Sequence, residues 1–295
     1  MMSSNQITTV TIAATGPAQP ARNNPPTANP IPAIATANSP STSVGLNTGR
    51  LSSGVARYPR AMAGLVVAVA QPACVALDVA ANALAHADAV RAANARVVVF
   101  PEMSLTGYEL AGPTIEPDDP RLEPIREACV ESGSVALVGA PVTGDDGSAT
   151  RHIGVLAFDA IGVRVAYRKM WLGGAEAERF DPGMAPAVLE VDGHRIGLAV
   201  CKDTGVPKHA ADTAALGIEG YVAGVLEFVE DATVPAERSA RIAAEHGVWV
   251  AFASFAGSTG GGYERSAGRS IIRARDGSVL AEAGPDVGEI IRATV

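Results

Sequence analysis

The sequence predicts an α/β fold in which sheets pack on each other with helices outside. Three observations carry that reading. From about residue 62 onward, segments with strand patterning alternate with segments of helical period. Strand segments outnumber helical ones, and several are apolar on both faces, as strands covered from both sides are. Stacked sheets with helices over their outer faces satisfy all three.

The elements follow in order. LVVAVAQ (65–71) is a strand, DVAANALAHADAVRAANA (78–95) a helix with Asp78 placed to cap its start, and RVVVFPE (96–102) a strand. RLEPIREACVESG is a helix, SVALVGAPV a strand, and IGVLAFDAIGVRVAYRK a strand pair around a turn. HRIGLAVCKD is a strand, VPKHAADTAALG a helix with Pro207 in its first turn, and GYVAGVL a strand. VPAERSARIAAEHG is a helix closed by Gly247, VWVAFASFAG a strand, and GRSIIRARDGSVLAEAG a hairpin turning at Asp276-Gly277.

Residues 1–61 are set apart from this pattern as an Ala-, Pro-, Ser- and Thr-rich tail. Its composition offers too little apolar surface to offset chain entropy, so disorder is expected there, with residues 62–295 as the folded domain. The tail lacks a basic start followed by a compact apolar run, which argues against a secretory signal. At 295 residues and 47% hydrophobic, the chain can build a substantial core. The apolar run 63–77 carries a proline and is too short to span a bilayer, so no membrane partner is expected. The net charge is −8, and the four basic residues of the first sixty have no acidic neighbours there, so the remainder is more acidic still. That balance disfavours nucleic acid. Three cysteines, Cys74, Cys129 and Cys201, without CxxC or HExxH spacing argue against a disulfide framework and against a zinc site. A reducing, cytoplasmic setting is the expectation.

Three strands end in reactive groups. VVVF runs into Pro101-Glu102, VRVAY into Arg168-Lys169, and GLAV into Cys201. Ligand sites in α/β sheets gather beyond the carboxyl ends of strands, so these side chains can converge from distant sequence positions. Their chemistry is complementary. A thiol needs a neighbouring base or cation to become a nucleophile. A desolvated Glu102 can accept its proton and pass it to a leaving group, and Lys169 can favour the thiolate and steady an oxyanion. Taken singly, each has an ordinary reading: a small buried cysteine, a solvated glutamate, a surface lysine.

Together, VVVFPEMSLTGY, YRKMWL and GLAVCKDTGVP, with FDPG at 180–183, ERSARIAAEHGVWVAFAS at 237–254 and GRSII at 268–272, resemble the nitrilase (carbon-nitrogen hydrolase) superfamily over about residues 64–290. The resemblance implies a four-layer α-β-β-α sandwich, a homodimer or higher homo-oligomer, and hydrolysis of non-peptide C–N bonds through a thioester with neither cofactor nor metal. Position by position it implies Glu102 as general base, Lys169 as oxyanion-stabilising residue and Cys201 as nucleophile. The expected substrate is a small amide or N-carbamoyl compound, with nitriles as a further option. A non-catalytic binding module and an acyl transferase are the rival readings.

Some residues depart from the family pattern. Lys202 stands where many relatives have an aromatic residue, and its side chain is a candidate for binding a substrate carboxylate or is simply solvated. Asp203 is expected to order the loop leading to Pro207. Val142 occupies the place where relatives carry a second glutamate supporting the lysine; Asp145, Asp146, Glu176 and Glu178 are the possible substitutes. Trp171, Tyr108 and Tyr263 are candidate pocket walls. GSTGGG (257–262) is expected to form a mobile loop at the rim rather than a phosphate loop, since no helix bearing Lys-Ser/Thr follows it. His86, His194, His209 and His246 lack metal-ligand spacing and are assigned to helix surfaces and turns.

Overall fold

The computed structural model describes residues 64–144 and 150–295; the 1–61 tail, Asp145 and Asp146 lie outside the described residues. Along the chain come β1 (Val66–Ala70), α1 (Val79–Ala93), β2 (Val97–Val99), α2 (Glu123–Ser132), β3 (Val135–Thr143), β4 (Arg151–Phe158) and β5 (Val163–Arg168). Next are α3 (Gly174–Ala177), β6 (Ala187–Val191), β7 (His194–Val200), α4 (Pro207–Ala214), β8 (Gly220–Val225), α5 (Val234–His246) and β9 (Trp249–Ser254). Five short strands close the described chain: β10 (Ala256–Gly257), β11 (Ser266–Ala267), β12 (Ile271–Arg273), β13 (Val279–Glu282) and β14 (Ile290–Thr294).

Two six-stranded sheets result, ordered β14-β1-β2-β3-β4-β5 and β13-β12-β9-β8-β7-β6, with β10 and β11 forming a separate pair. At the centre of each, strands run parallel (β1-β2-β3 and β7-β8-β9), and antiparallel strands extend the edges.

The alternation of side chains along each strand sorts the core into layers. Val67, Val69, Val97, Val99, Val135 and Leu137 of the first sheet share one cluster with Ile196, Leu198, Val200, Val222 and Trp249 of the second. The opposite faces are covered separately. Ala68, Val98, Ala136 and Val138 pack on Ala83, Val90 and Ile125 of α1 and α2; Ala199, Ala223 and Phe252 pack with Ala210 and Ile242 of α4 and α5. The layers are therefore helix, sheet, sheet, helix, as expected from strands apolar on both faces.

Local signals placed most elements. Asp78 caps α1 by accepting from Ala81 N at 3.0 Å. Pro207 opens α4, and Gly247 ends α5 in the left-handed conformation. The last hairpin turns at Asp276-Gly277, where Gly277 has φ +85°. The sequence reading missed β14, which pairs with all of β1 and completes the first sheet. No described helix is long and apolar enough to cross a membrane.

Candidate active site

Glu102 lies three residues beyond β2, where the chain leaves the first sheet. Its backbone threads between two glycines from opposing sheets. A Cβ on Gly139 of β3 would stand 2.4 Å from Met103 N and Pro101 O; one on Gly224 of β8 would stand 2.6 Å from Phe100 O and 2.7 Å from Glu102 N. Only glycine admits so close an approach at both positions. Glu102 is thereby buried, and a small cavity that it lines is shared with Val99, Leu137, Val200 and Val222.

Lys169 follows β5 directly and is equally buried. Its Nζ donates to Glu102 Oε1 at 2.7 Å and to both oxygens of Glu176, at 2.7 and 2.9 Å. Val142, at the position where a second glutamate was expected, sits buried in the helix-facing cluster of the first sheet. Glu176, from the single-turn helix α3, is the second carboxylate on Lys169, whereas Glu178 is exposed. Glu176 also accepts from Tyr108 Oη and from Gly173 N. The bond to Gly173 is the reach-back of a residue at the third helical position to the helix start. That offers a sequence signal: a glutamate three residues after a helix start, seven after the lysine.

Two carboxylates sharing one ammonium do not hold their charge equally. Burial raises Glu176, but Lys169 and the donors from Gly173 and Tyr108 bring it below its ordinary range. Glu102 is pushed up to about 7, by burial first and by the charge of Glu176 second, against the pull of Lys169. Burial lowers Lys169, yet the carboxylates of Glu102 and Glu176 outweigh it and keep the ammonium protonated.

Cys201 begins a short 3₁₀ turn, Cys201–Gly205, immediately after β7, and adopts φ +39°. It is half-buried. Its thiol donates to Leu226 O at 3.5 Å, and the Glu102 carboxylate acts on it through its charge. Burial, then the charge of Glu102, pushes the thiol well above its ordinary range, with Lys169 opposing. The resting thiol is neutral, with a base beside it. Cys74 and Cys129 stand apart, each pushed up to about 11 by burial.

The remaining candidates take other places. The exposed Lys202 ammonium donates to Leu172 O, bracing the segment after Lys169. The Trp171 ring meets His209 edge-to-face at 5.5 Å, and the Trp171 backbone N–H donates to Asp203 Oδ1 at 2.9 Å. Tyr108 meets Tyr263 edge-on at 5.0 Å, and Tyr263 stacks on the partly exposed Phe228 at 4.1 Å, giving an aromatic rim beside Glu176. The glycine-rich segment expected to be mobile is tied to the Tyr108 loop: Tyr108 N donates to Thr259 O and Gly261 N to Glu109 Oε1. Gly261, at φ +60°, leaves no space for a Cβ, which would stand 2.0 Å from Tyr108 O. His86 and His209, assigned to surfaces and turns, are instead fully buried and hydrogen-bonded at both ring nitrogens. Among the described residues no group of three His, Cys, Asp or Glu side chains is arranged to hold a metal ion.

Comparison with known proteins is consistent across sequence and structure. Residues 66–295 match the carbon-nitrogen hydrolase family. A Pseudomonas protegens protein described as a hydrolase in the pqqF 5′ region is 33% identical over 232 residues, 73% of this chain and 77% of its own length. A Mycobacterium tuberculosis protein described as hydrolase Rv0480c is 29% identical over 141 residues, 45% of this chain and 50% of its own. A cysteine-to-alanine variant of the Nesterenkonia AN1 amidase from the nitrilase superfamily superimposes with a TM-score of 0.71 at 25% identity, covering 80% of this chain and 92% of that one.

Proposed function

The chain belongs to the carbon-nitrogen hydrolase family, and from that membership we propose that it cleaves small non-peptide amides through a thioester on Cys201. The observation that carries this reading is the single cluster in which a buried ammonium, Lys169, is held 2.7 Å from Glu102, with the charges of both acting on the Cys201 thiol.

The chemistry runs as follows. Cys201 Sγ attacks the amide carbon while Glu102 takes the thiol proton; with Glu102 up at about 7, that transfer is feasible near neutral pH. Negative charge gathers on the former carbonyl oxygen, met by Lys169 and by the backbone N–H of Lys202 at the start of the 3₁₀ turn. Glu102 then returns the proton to the leaving nitrogen, and ammonia or an amine departs. Water enters, Glu102 removes its proton, and the thioester is hydrolysed to the acid and the free thiol. Glu176 keeps Lys169 charged throughout, filling the supporting position that Val142 leaves empty.

Amides rank ahead of nitriles because Lys202-Asp203 follows the cysteine, without the aromatic-then-glutamate context associated with nitrile-cleaving relatives; the amidase name of the Nesterenkonia neighbour points the same way. N-carbamoyl compounds are the second substrate class. The test is ammonia release from a panel of primary amides, N-carbamoyl amino acids and nitriles. Release from amides that disappears in Cys201→Ala is the expected result; release that survives the substitution refutes the thioester.

A further inference from the structure

Behind the nucleophile turn lies a row of buried polar groups that the proposed chemistry does not use. Asp203, Tyr167, His209 and Tyr221 come from the turn after β7, from β5, from α4 and from β8, and at most 3% of any of them is exposed. Tyr167 Oη lies 2.7 Å from Asp203 Oδ2 and 2.9 Å from His209 Nε2; His209 Nδ1 lies 2.8 Å from Tyr221 Oη.

Valence fixes the direction of each bond. Asp203 already accepts from Val200 N at 3.0 Å and Trp171 N at 2.9 Å, so the one hydroxyl hydrogen of Tyr167 makes a third donor to it. The Tyr167 oxygen must then accept from His209 Nε2–H. In a neutral ring Nδ1 is therefore the acceptor, and Tyr221 donates to it. All the hydrogens in the row point toward Asp203.

The three donors to Asp203 are placed to matter. Tyr167 is two residues before Lys169, Trp171 two residues after it, and Val200 immediately precedes Cys201. Moreover, β5 belongs to the first sheet and β7 to the second. One carboxylate thus fastens the strand end bearing the ammonium to the strand end bearing the thiol, across the interface between sheets. Taking Lys169 and Cys201 in the roles proposed above, we infer that Asp203 is a positioning residue: held by its donors from Tyr167, Trp171 and Val200, it sets where the Lys169 ammonium stands relative to the Cys201 thiol.

The test reads the thiol itself. Alkylation of Cys201 by iodoacetamide, located by peptide mass spectrometry, is followed over about pH 6 to 10 in the wild type and in Tyr167→Phe, Asp203→Asn and Tyr221→Phe. In Tyr167→Phe the rate at neutral pH falls about tenfold and the rate–pH curve moves about one unit upward, because the cation favouring the thiolate is no longer held in place. Asp203→Asn behaves likewise or more severely; should it fail to fold, Tyr167→Phe carries the test. Tyr221→Phe also loses a buried hydrogen bond and some thermal stability, yet leaves the curve in place, since Asp203 keeps its three donors. A Tyr167→Phe curve superimposing on the wild type overturns the positioning role, as does a Tyr221→Phe curve displaced equally far. A wild-type Cys201 that resists alkylation throughout overturns the functional reading itself and the positioning role with it.

Discussion

At the scale of single residues, the site is an electrostatic arrangement of one cation and two carboxylates, and their inequality has measurable consequences. With Glu102 at about 7 and required as a base, kcat/KM should rise with pH through about 7 and then level off. Glu176→Gln should lower kcat more than it raises KM, by roughly tenfold or more, because it weakens the hold on a charge needed most in the transition state. Glu102 also links stability to pH. Its folded value lies above the ordinary 4.5, so the stability it contributes is present below that value and is lost as pH rises through about 7. Glu102→Gln lacks this loss, and its Tm should gain on the wild type between about pH 5 and 8 in thermal melts. Glu102, Lys169 and Cys201 were legible as candidates because each ends an apolar strand. Glu176 was legible only as one of several alternatives. Its partner Lys169 is close in sequence, but the position the family pattern pointed to, Val142, lies on the helix-facing side of β3.

At the scale of elements, the segment after β2 is held by its neighbours. Gly139→Ala should lower Tm by several degrees and reduce turnover together, since the added methyl displaces the backbone on either side of Glu102; a merely peripheral glycine would lose neither. The same segment is braced from behind by His86 on α1, whose Nε2 lies 2.8 Å from Ser104 Oγ. Burial lowers His86 to about 4, against an ordinary 6.5. Its contribution to stability is therefore present above about 6.5 and is lost as pH falls toward 4. His86→Gln should show a shallower decline in Tm over that acid window. The helices were legible from period and caps, and most strands from apolar runs. The strand β14 was not, because IIRAT is short and half-exposed, and its pairing with β1 spans more than two hundred residues. The burial of His86 and His209 was equally hidden, since a histidine on a helix carries no local mark of which way its partners lie.

At the scale of the whole molecule, every residue of the proposed chemistry falls within the span 66–295 that matches the family. A chain beginning at Met62 should accordingly keep the ammonia-releasing activity and the Tm of the full-length protein, measured side by side. The stacking of two sheets was legible from strands apolar on both faces; which side chains fasten their strand ends together was not, because pairings such as Asp203 with Tyr167 are announced by no local pattern. The left-handed backbone of Cys201 has one further consequence. A side chain bearing Cβ pays about 1 kcal/mol or more for that conformation, and glycine does not. Cys201→Gly should therefore melt above Cys201→Ala, although the proposed chemistry leaves both inactive. A library screened for heat resistance alone, blind to turnover, would drift at this codon toward a sturdier and lifeless protein, so any thermostabilisation campaign must hold position 201 fixed.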